Sequence, residues 1–459
     1  MNKMQIATLF EYTRYSYRRG STDSFDEQEK SFVFSEKTLT VLEELNHSQK
    51  FLDTGLNTIR PLNFVGVVRT GDLTIQIFPK LFKNQKDAQD LPVIAGNLLK
   101  MLSYTENLPI KEAEIAGLAQ EKLDLFEIFI AIFARNLLRT IKTSQKKEYI
   151  KRNEELGVIK GKIQFDKYNN PARFHRIPCE YYDFSTDTLM NRTLKFTCSL
   201  MARTVSDITT RRTLRSVVDI LDQVSSVPVT VPEIERISFN RLNHMFEPYV
   251  RMCKIFLSNS TLTLQASNIE SFSLLIPMEK LFEDFIAQVL RSDSPFFFGK
   301  YVPVLTQKTI GHVVKDEDNN SLFRMRPDLI IGSDPYEAVV DTKYKALDET
   351  DRKWGISQAD LYQMYAYVSK MHVTKCMLLY PDAIVDYKRD FSFLLPTPDE
   401  SIEKVTLLIR AVRLSRNLNV PEEWEQFRCE LRHIVKPLVR NNQLTLEAIQ
   451  DISLPKSNA

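Results

Sequence analysis

Residues 323–346 read FRMRPDLIIGSDPYEAVVDTKYKA, with two short apolar runs on either side of a turn at residues 332–335. Apolar runs separated by Gly, Ser, Asp and Pro predict a β-hairpin. Asp328 stands at the start of the first run, and Asp341 and Lys343 stand near the end of the second. Because side chains alternate across a strand, Asp341 and Lys343 are expected on the same face.

Charged residues at the ends of apolar strands need partners, because burying an unpaired charge is costly. A divalent metal between Asp328 and Asp341, with Lys343 beside a reacting phosphate, would provide them. This is the PD-(D/E)XK nuclease pattern, and Pro327 precedes Asp328 as the pattern requires. The alternative is a solvated hairpin in which Asp341 and Lys343 pair with each other and carry no chemistry.

A helix is predicted upstream, over PMEKLFEDF at residues 277–285, with Pro277 at its first position. Its apolar stripe follows helical spacing. Glu283 borders that stripe and is predicted to lean over the metal site, and Glu279, one turn earlier on the same side, is the competing candidate. Either glutamate is alternatively a solvated first-turn residue favoured by the helix dipole.

A second helix is predicted downstream, over DLYQMYAY at residues 360–367. Gln363 and Tyr367 are four residues apart and share a face, where a nuclease offers an amide and a phenol to DNA phosphate. The alternative makes Tyr365 and Tyr367 packing residues with solvated hydroxyls. The next apolar run, CMLLYP, predicts a buried strand, so the element order indicates an α/β core.

The composition excludes some classes of protein. The chain has 459 residues, enough for two or three domains, and a net charge of +2 that says little about partners. Its five cysteines form no CxxC pair, which argues against a zinc site and fits a reducing compartment. The N-terminus lacks a signal-peptide core, and charges interrupt the most apolar helix, Leu123 to Leu138. A cytoplasmic protein without membrane spans is expected.

The chain divides into four predicted parts. Residues 1–155 are β-rich and then helical, 156–265 are mostly helical, 266–415 form the α/β core, and 416–459 form C-terminal helices and a tail. The overall class is therefore α/β, or α+β when the N-terminal part is included. The glycines in residues 157–162, GVIKGK, suggest a phosphate-binding loop, but the spacing is one residue short and isoleucine replaces the Ser or Thr that would bind magnesium.

Four stretches together resemble the McrC family, the nuclease subunits of McrBC-type, type IV-like restriction systems. They are FVGVVRTGDLTIQIFPK at 64–80, LGVIKGKIQF at 156–165, CEYYDFSTDTLMNRTLK at 179–195, and the core from LFE at 281 through RPDLII, VVDTKYK and DLYQMYAY. The nuclease motif alone occurs in many families. The ordered set is more specific and extends from about residue 60 to 415.

The resemblance implies a DNA endonuclease subunit with a PD-(D/E)XK restriction-endonuclease-like core behind an N-terminal partner-docking region. The implied partner is an McrB-type AAA+ GTPase, which recognises double-stranded DNA, often with modified cytosine, and translocates. The McrC-type subunit stimulates that GTPase and cuts. GTP is thus used by the partner and not by this chain, which fits the absence of a phosphate-binding loop.

The family's metal-binding acids and lysine fall on Asp328, Asp341 and Lys343, and a supporting glutamate falls on Glu283. As a hypothesis, Asp328, Asp341 and the Thr342 carbonyl hold Mg²⁺, with Glu283 bound directly or through water. Lys343 orients or deprotonates the attacking water, or stabilises the phosphate; these roles stay open. Cutting both strands would need two sites, so pairing of subunits or complexes is expected.

Two other functions remain as alternatives. One is a free-standing RecB-like nuclease, which the Gln363 and Tyr367 pair would also fit. The other is a non-catalytic GTPase-activating scaffold with a decayed nuclease fold, against which the intact Asp328, Asp341 and Lys343 argue. The long N-terminal half without a helicase motif favours the partner-docking subunit.

Overall fold

The structure is a computed structural model, and it describes residues 5–70, 73–80, 91–105, 124–144, 147–167, 172, 174–258, 260–263, 268–345, 347, 353–382, 388–396 and 402–440. The end of the predicted C-terminal helices and tail, residues 441–459, lies outside them. The chain forms two compact units: Met1–Phe78 with Glu106–Leu275, and Pro79–Thr105 with Ile276–Ala459.

The described strands and helices are numbered in chain order. The strands are β1 (Gln5–Phe10), β2 (Tyr15–Arg19), β3 (Ser24–Asp26), β4 (Ser31–Phe34), β5 (Leu52–Gly55), β6 (Thr58–Pro61), β7 (Phe64–Thr70), β8 (Leu73–Phe78), β9 (Glu148–Leu156), β10 (Lys162–Ile163), β11 (Ile177–Ser185), β12 (Ser260–Thr263), β13 (Asn268–Pro277), β14 (Val304–Thr306), β15 (Gly311–Lys315), β16 (Ser321–Met325), β17 (Leu329–Ile331), β18 (Ala338–Thr342), β19 (Lys375–Asp382), β20 (Lys388–Pro396) and β21 (Ile402–Arg413). The α-helices are α1 (Glu36–Gln49), α2 (Leu91–Thr105), α3 (Leu125–Thr143), α4 (Leu189–Thr204), α5 (Ile208–Ile220), α6 (Val231–Ile234), α7 (Glu247–Ser258), α8 (Met278–Ser292), α9 (Ser294–Phe298), α10 (Gln358–Met371) and α11 (Pro421–Val435).

The first unit combines sheets with a helical group. Its sheets have the strand orders β1-β8-β7-β13-β12, β3-β4-β2-β6-β5 and β10-β11-β9. Most residues of helix α3 are buried, and its Glu127 lies 3.6 Å from the buried guanidinium of Arg69, so this buried charge is paired. Among the described residues, no helix has the length and apolar character needed to cross a membrane.

The second unit is built on a sheet with the strand order β14-β17-β18-β19-β21-β20. Strands β17 and β18 form the predicted hairpin, whereas β18, β19 and β21 run parallel to one another. Residues of α10, including Met364 and Val368, join Val339 and Leu378 of the sheet in one hydrophobic core. The parallel strands β18 and β19 are connected through helix α10, which makes this an α/β sheet. The predicted α/β class is confirmed.

The predicted elements around the quoted stretch are present. Helix α8 begins at Met278 with Pro277 as its N-cap, one residue later than predicted. Helix α10 spans the DLYQMYAY stretch, and β19 contains the CMLLYP run. Helix α2 belongs to the same unit and packs against α8. The boundaries at residues 155, 265 and 415 stay a prediction.

Candidate functional site

The hairpin brings the two predicted metal carboxylates together. Asp328 directly precedes β17, and Leu329 pairs with Val340 on the antiparallel β18. The backbone NH and the hydroxyl of Thr342 donate hydrogen bonds to Oδ2 of Asp328, at 2.8 and 2.9 Å. The loop that carries Asp328 is therefore fastened to the end of the strand that carries Asp341.

Asp341 is a buried acid that lies near both a second carboxylate and an ammonium group. Its side chain is 1% exposed, and Oδ2 lies 2.6 Å from Nζ of Lys343. Within the described part of the chain, Oδ1 of Asp341 has no hydrogen-bond partner. Burial, and then the nearby Asp328, raise the pKa of Asp341 to about 7, although Lys343 opposes the shift. The site therefore holds more negative charge than Lys343 alone compensates.

Lys343 is held from three sides. Its Nζ contacts Asp341, lies 3.6 Å from Oδ1 of Asp360, and donates a hydrogen bond to Oε1 of Gln363 at 2.9 Å. Burial lowers the pKa of Lys343, but the neighbouring carboxylates, Asp341 first, outweigh it, so the net shift is upward. Lys343 is thus a charged ammonium in this arrangement. The predicted placement of Asp341 and Lys343 on one face of the strand agrees with their contact.

The predicted pair on α10 meets Lys343. Nε2 of Gln363 donates to the Tyr367 hydroxyl at 2.9 Å, and that hydroxyl donates to the carbonyl of Arg326 at 3.3 Å. The alternative of a solvated hydroxyl therefore fails for Tyr367, which is buried, while Tyr365 is exposed. Gln363 holds Lys343 and Tyr367 holds Gln363, and the contact of either residue with substrate stays a prediction.

The structure separates the two helix glutamates. Glu279 is exposed, whereas Glu283 is 7% exposed and accepts a hydrogen bond from Nε2 of Gln307 at 2.5 Å. The same nitrogen lies 3.4 Å from Oδ1 of Asp328. Burial, and then the negative charge of Asp328, raise the pKa of Glu283. Glu283 therefore faces the carboxylates, which supports its choice over Glu279.

Two residues at the site, Gln307 and Asp360, were not identified as site residues from the sequence. Gln307 joins Glu283 to Asp328, and Asp360 lies close to both Lys343 and Lys345. Asp360 does have a sequence signal: it completes the Ser357–Asp360 capping box of α10 and lies one turn before Gln363. Gln307 has none, because a single glutamine after a short strand does not identify its contacts.

A cavity of about 390 Å³ is lined by Glu283, Asp328, Asp341, Lys343, Asp360 and Gln363, among others. Within the described residues, no group of three or more Asp, Glu, His or Cys side chains is placed to hold a metal ion. Magnesium commonly takes one or two protein carboxylates and completes its shell with water and phosphate oxygens. Asp328 and Asp341, with the unpartnered Oδ1, supply such an open donor set.

We expect Asp341→Asn to stabilise the metal-free protein at neutral and alkaline pH. An acid whose pKa is raised from about 3.9 in the unfolded chain to about 7 in the fold contributes its full stability below pH ~4 and loses it as the pH rises through 7. The variant should melt several degrees above the original chain at pH 8 in EDTA and at the same temperature near pH 4. Thermal melts across this range measure the difference.

Glu279→Gln is the matched control, because it removes an exposed carboxyl that lines the same cavity. Its melting temperature should follow the original chain at every pH. An equal rise of the melting temperature at pH 8 in Glu279→Gln would contradict the assignment of Asp341 as the carboxylate that destabilises the metal-free fold. So would the absence of a rise in Asp341→Asn.

Two of the three comparisons with known proteins find a match. A family model described as "McrBC 5-methylcytosine restriction system component" matches residues 59–381. A search of curated proteins finds no match. Among solved structures, a chain of the refined half-complex from a tetradecameric assembly of Thermococcus gammatolerans McrB AAA+ hexamers with bound McrC is similar in fold. It has a TM-score of 0.66 and 20% identity, and the match covers 94% of this chain and 100% of that one.

A second solved structure, the cryo-EM structure of the Thermococcus gammatolerans McrBC complex, also matches. Its TM-score is 0.48 at 20% identity, and the match covers 63% of this chain and 88% of that one.

Proposed function

Because the chain belongs to the family of McrBC 5-methylcytosine restriction system components, we propose that it is the magnesium-dependent DNA endonuclease subunit of an McrBC-like complex. The observation that carries the proposal is the ion pair of Asp341 with Lys343 beside Asp328 and Glu283 in one cavity. Asp328 and Lys343 lie next to the neighbouring strands β17 and β18, Asp341 lies in β18, and Glu283 reaches the same cavity from helix α8. Carboxylates that can bind a metal and an ammonium that can stabilise a phosphate are the groups that phosphodiester hydrolysis needs.

Each side chain has a distinct role in the proposed reaction. Asp328 and Asp341 would hold Mg²⁺, the Thr342 carbonyl would be a further ligand, and Glu283 would act directly or through water. When bound, the metal supplies Lewis-acid activation of water and neutralises charge on the phosphate. Lys343, already cationic, orients the attacking water or stabilises the phosphate oxygens. Gln363 fixes the position of the Lys343 ammonium, while Tyr367 fixes that of Gln363.

The proposed partner is an McrB-type AAA+ GTPase. The similar chain of known structure comes from an assembly of McrB AAA+ hexamers with bound McrC, and its fold covers nearly the whole of this chain. In the proposed division of labour the partner recognises double-stranded DNA and consumes GTP, and this chain stimulates that turnover and cuts in the cytoplasm. Pairing of complexes would place two such sites on the two strands.

A cleavage assay with and without the partner GTPase, GTP and Mg²⁺ tests the proposal. Cutting that needs all three supports the restriction subunit. Cutting with Mg²⁺ alone favours a free-standing RecB-like nuclease. Stimulated GTP turnover with no cutting favours a scaffold whose nuclease site has decayed.

Glu283→Gln should weaken cleavage and raise the Mg²⁺ concentration for half-maximal rate by about tenfold. The substitution keeps the shape and the amide contact of Gln307 but removes the negative charge beside Asp328. Loss of a group next to a metal ligand typically costs about 10–100-fold in metal affinity or activity. A Mg²⁺ titration of the cleavage rate measures the change.

Glu279→Gln serves as the comparison, because its carboxyl is exposed one turn away on the same helix. Its Mg²⁺ requirement should stay within about twofold of the original chain. If Glu279→Gln has the larger effect, the assignment of Glu283 is wrong.

A further inference from the structure

Helix α10 presents two different faces within the second unit. Asp360, Gln363 and Tyr367 fall on the face that contacts Lys343. At 3.6 residues per turn, Tyr362 and Tyr365 fall on the opposite face. Their side chains are 64% and 38% exposed, so α10 also carries a partly uncovered aromatic surface away from the proposed cutting site.

That surface forms one wall of a groove of about 850 Å³. The edge strand β20 and the segment that precedes α10 provide the other walls. Ligand pockets in proteins commonly measure about 300–1,000 Å³, so the groove is large enough for a small organic group. Its aromatic lining consists of Trp354, Tyr362, Tyr365, Phe391 and Phe393.

The charges around the groove have one sign. Lys353 and Arg389 are its charged lining residues, and within the described residues no Asp or Glu lines it. The guanidinium of Arg389 lies 4.4 Å from the ring centre of Trp354. The adjacent carboxylate of β20, Asp390, is 2.7 Å from Arg410 and is therefore paired with another residue. The groove combines flat apolar surfaces with a cationic rim.

We propose that this groove binds one or two nucleotides of single-stranded DNA, an inference that rests on the proposed nuclease function. A base has a flat face that stacks on aromatic rings or on a guanidinium, and its phosphate is an anion that Arg389 and Lys353 complement. A protein strand paired to the edge of β20 is the competing occupant. The groove's described lining has several aromatic residues and two cations and no carboxylate, which favours the nucleic acid.

The placement gives the groove a role in cutting. Helix α10 carries Gln363, which holds Lys343, and Tyr362, which lines the groove. Unpaired substrate bases would stack on one face of α10. The other face of the same helix positions the Lys343 ammonium, so the substrate would be anchored to the helix that holds Lys343. The groove would hold a displaced strand on the side of α10 opposite to the cutting site.

Intrinsic fluorescence provides a direct readout, because the chain has two tryptophans, Trp354 in the groove and the buried Trp424. In full-length protein carrying Trp424→Phe, the emission comes from Trp354. We expect saturable quenching when the single-stranded oligonucleotide dT12 is added in EDTA, which prevents cutting. An absence of quenching together with an absence of binding overturns the inference.

Substitutions at the rim locate the binding. Tyr362→Ala and Arg389→Ala should each weaken binding of labelled dT12 by at least about fivefold, the loss that corresponds to about 1 kcal/mol per stacked base. Arg389→Lys should retain part of the affinity through its charge. Tyr301→Ala is the matched control, because it removes a tyrosine that is 75% exposed, somewhat more than Tyr362, and lies outside the groove. Unchanged thermal melts establish that each variant is folded.

The outcomes separate this inference from the proposed function. If Tyr362→Ala and Arg389→Ala bind dT12 like the original chain, the groove inference fails, whether or not the chain cuts DNA. If the same variants instead lose binding to the partner GTPase, the groove is a protein-docking surface and the inference is overturned. Asp341→Ala should bind dT12 normally; should it also cut normally, the nuclease assignment fails while the groove result stands.

Discussion

Asp341→Ala should reduce DNA cleavage at least about a thousandfold while the protein stays folded. The substitution removes a buried carboxylate that sits 2.6 Å from Lys343 and beside Asp328. Removing one group that stabilises transition-state charge typically costs about 10²–10³ in rate, and loss of a metal ligand adds to that. Single-turnover cleavage with the partner, GTP and Mg²⁺ measures the change.

The matched control is Asp284→Ala, which removes a half-buried carboxylate on α8 that pairs with Lys280 at 2.9 Å. This variant should cut at close to the original rate. Because Asp341 is an energetic cost to the metal-free fold, a loss of cleavage by unfolding is not expected, and a thermal melt verifies this. If Asp341→Ala cleaves DNA at the rate of the unsubstituted protein, the assignment of Asp341 to the catalytic site is wrong.

Lys343→Ala should lower cleavage by about 10²–10³-fold and leave stimulation of the partner's GTPase unchanged. Lys343 is a charged group held by Asp341, Asp360 and Gln363 in the cavity, so its loss removes phosphate stabilisation or water orientation. Phosphate release from GTP, measured beside cleavage in the same mixture, separates the two activities.

Lys308→Ala is the comparison for Lys343→Ala. Its Nζ contacts the Tyr336 hydroxyl at 2.7 Å on an exposed surface, so both activities should persist. A parallel fall of GTPase stimulation and cleavage in Lys343→Ala would mean that the lysine serves the assembly rather than the chemistry.

Point substitutions test the division of labour better than truncation before Pro277. Residues 79–105 lie in the second compact unit, where the buried side of α2 packs against α8. Removing everything from Pro277 onward would expose that apolar helix to water, at a cost of about 25 cal/mol for each Å² uncovered. A failure to bind the partner would then be ambiguous, whereas Lys343→Ala leaves both units intact.

The sequence by itself determined the elements that carry the site. Strand alternation placed Asp341 and Lys343 on one face, and the turn residues at 332–335 predicted the β17–β18 hairpin. Helical spacing put Gln363 and Tyr367 together on α10. These relations are local, because they depend on backbone periodicities of two and 3.6 residues, which a single sequence displays directly.

Only the tertiary structure decided which side chains meet across elements. Glu279 and Glu283 occupy the same side of α8 in sequence terms, and the packing of that helix buries Glu283 and leaves Glu279 exposed. Gln307 reaches Glu283 and Asp328 from a separate strand end. Residues 79–105 belong to the second unit, although the rest of that unit begins only at Ile276. Such contacts depend on how elements distant in sequence pack in three dimensions. A local periodicity does not contain this information, because whether a side chain is buried depends on the whole fold.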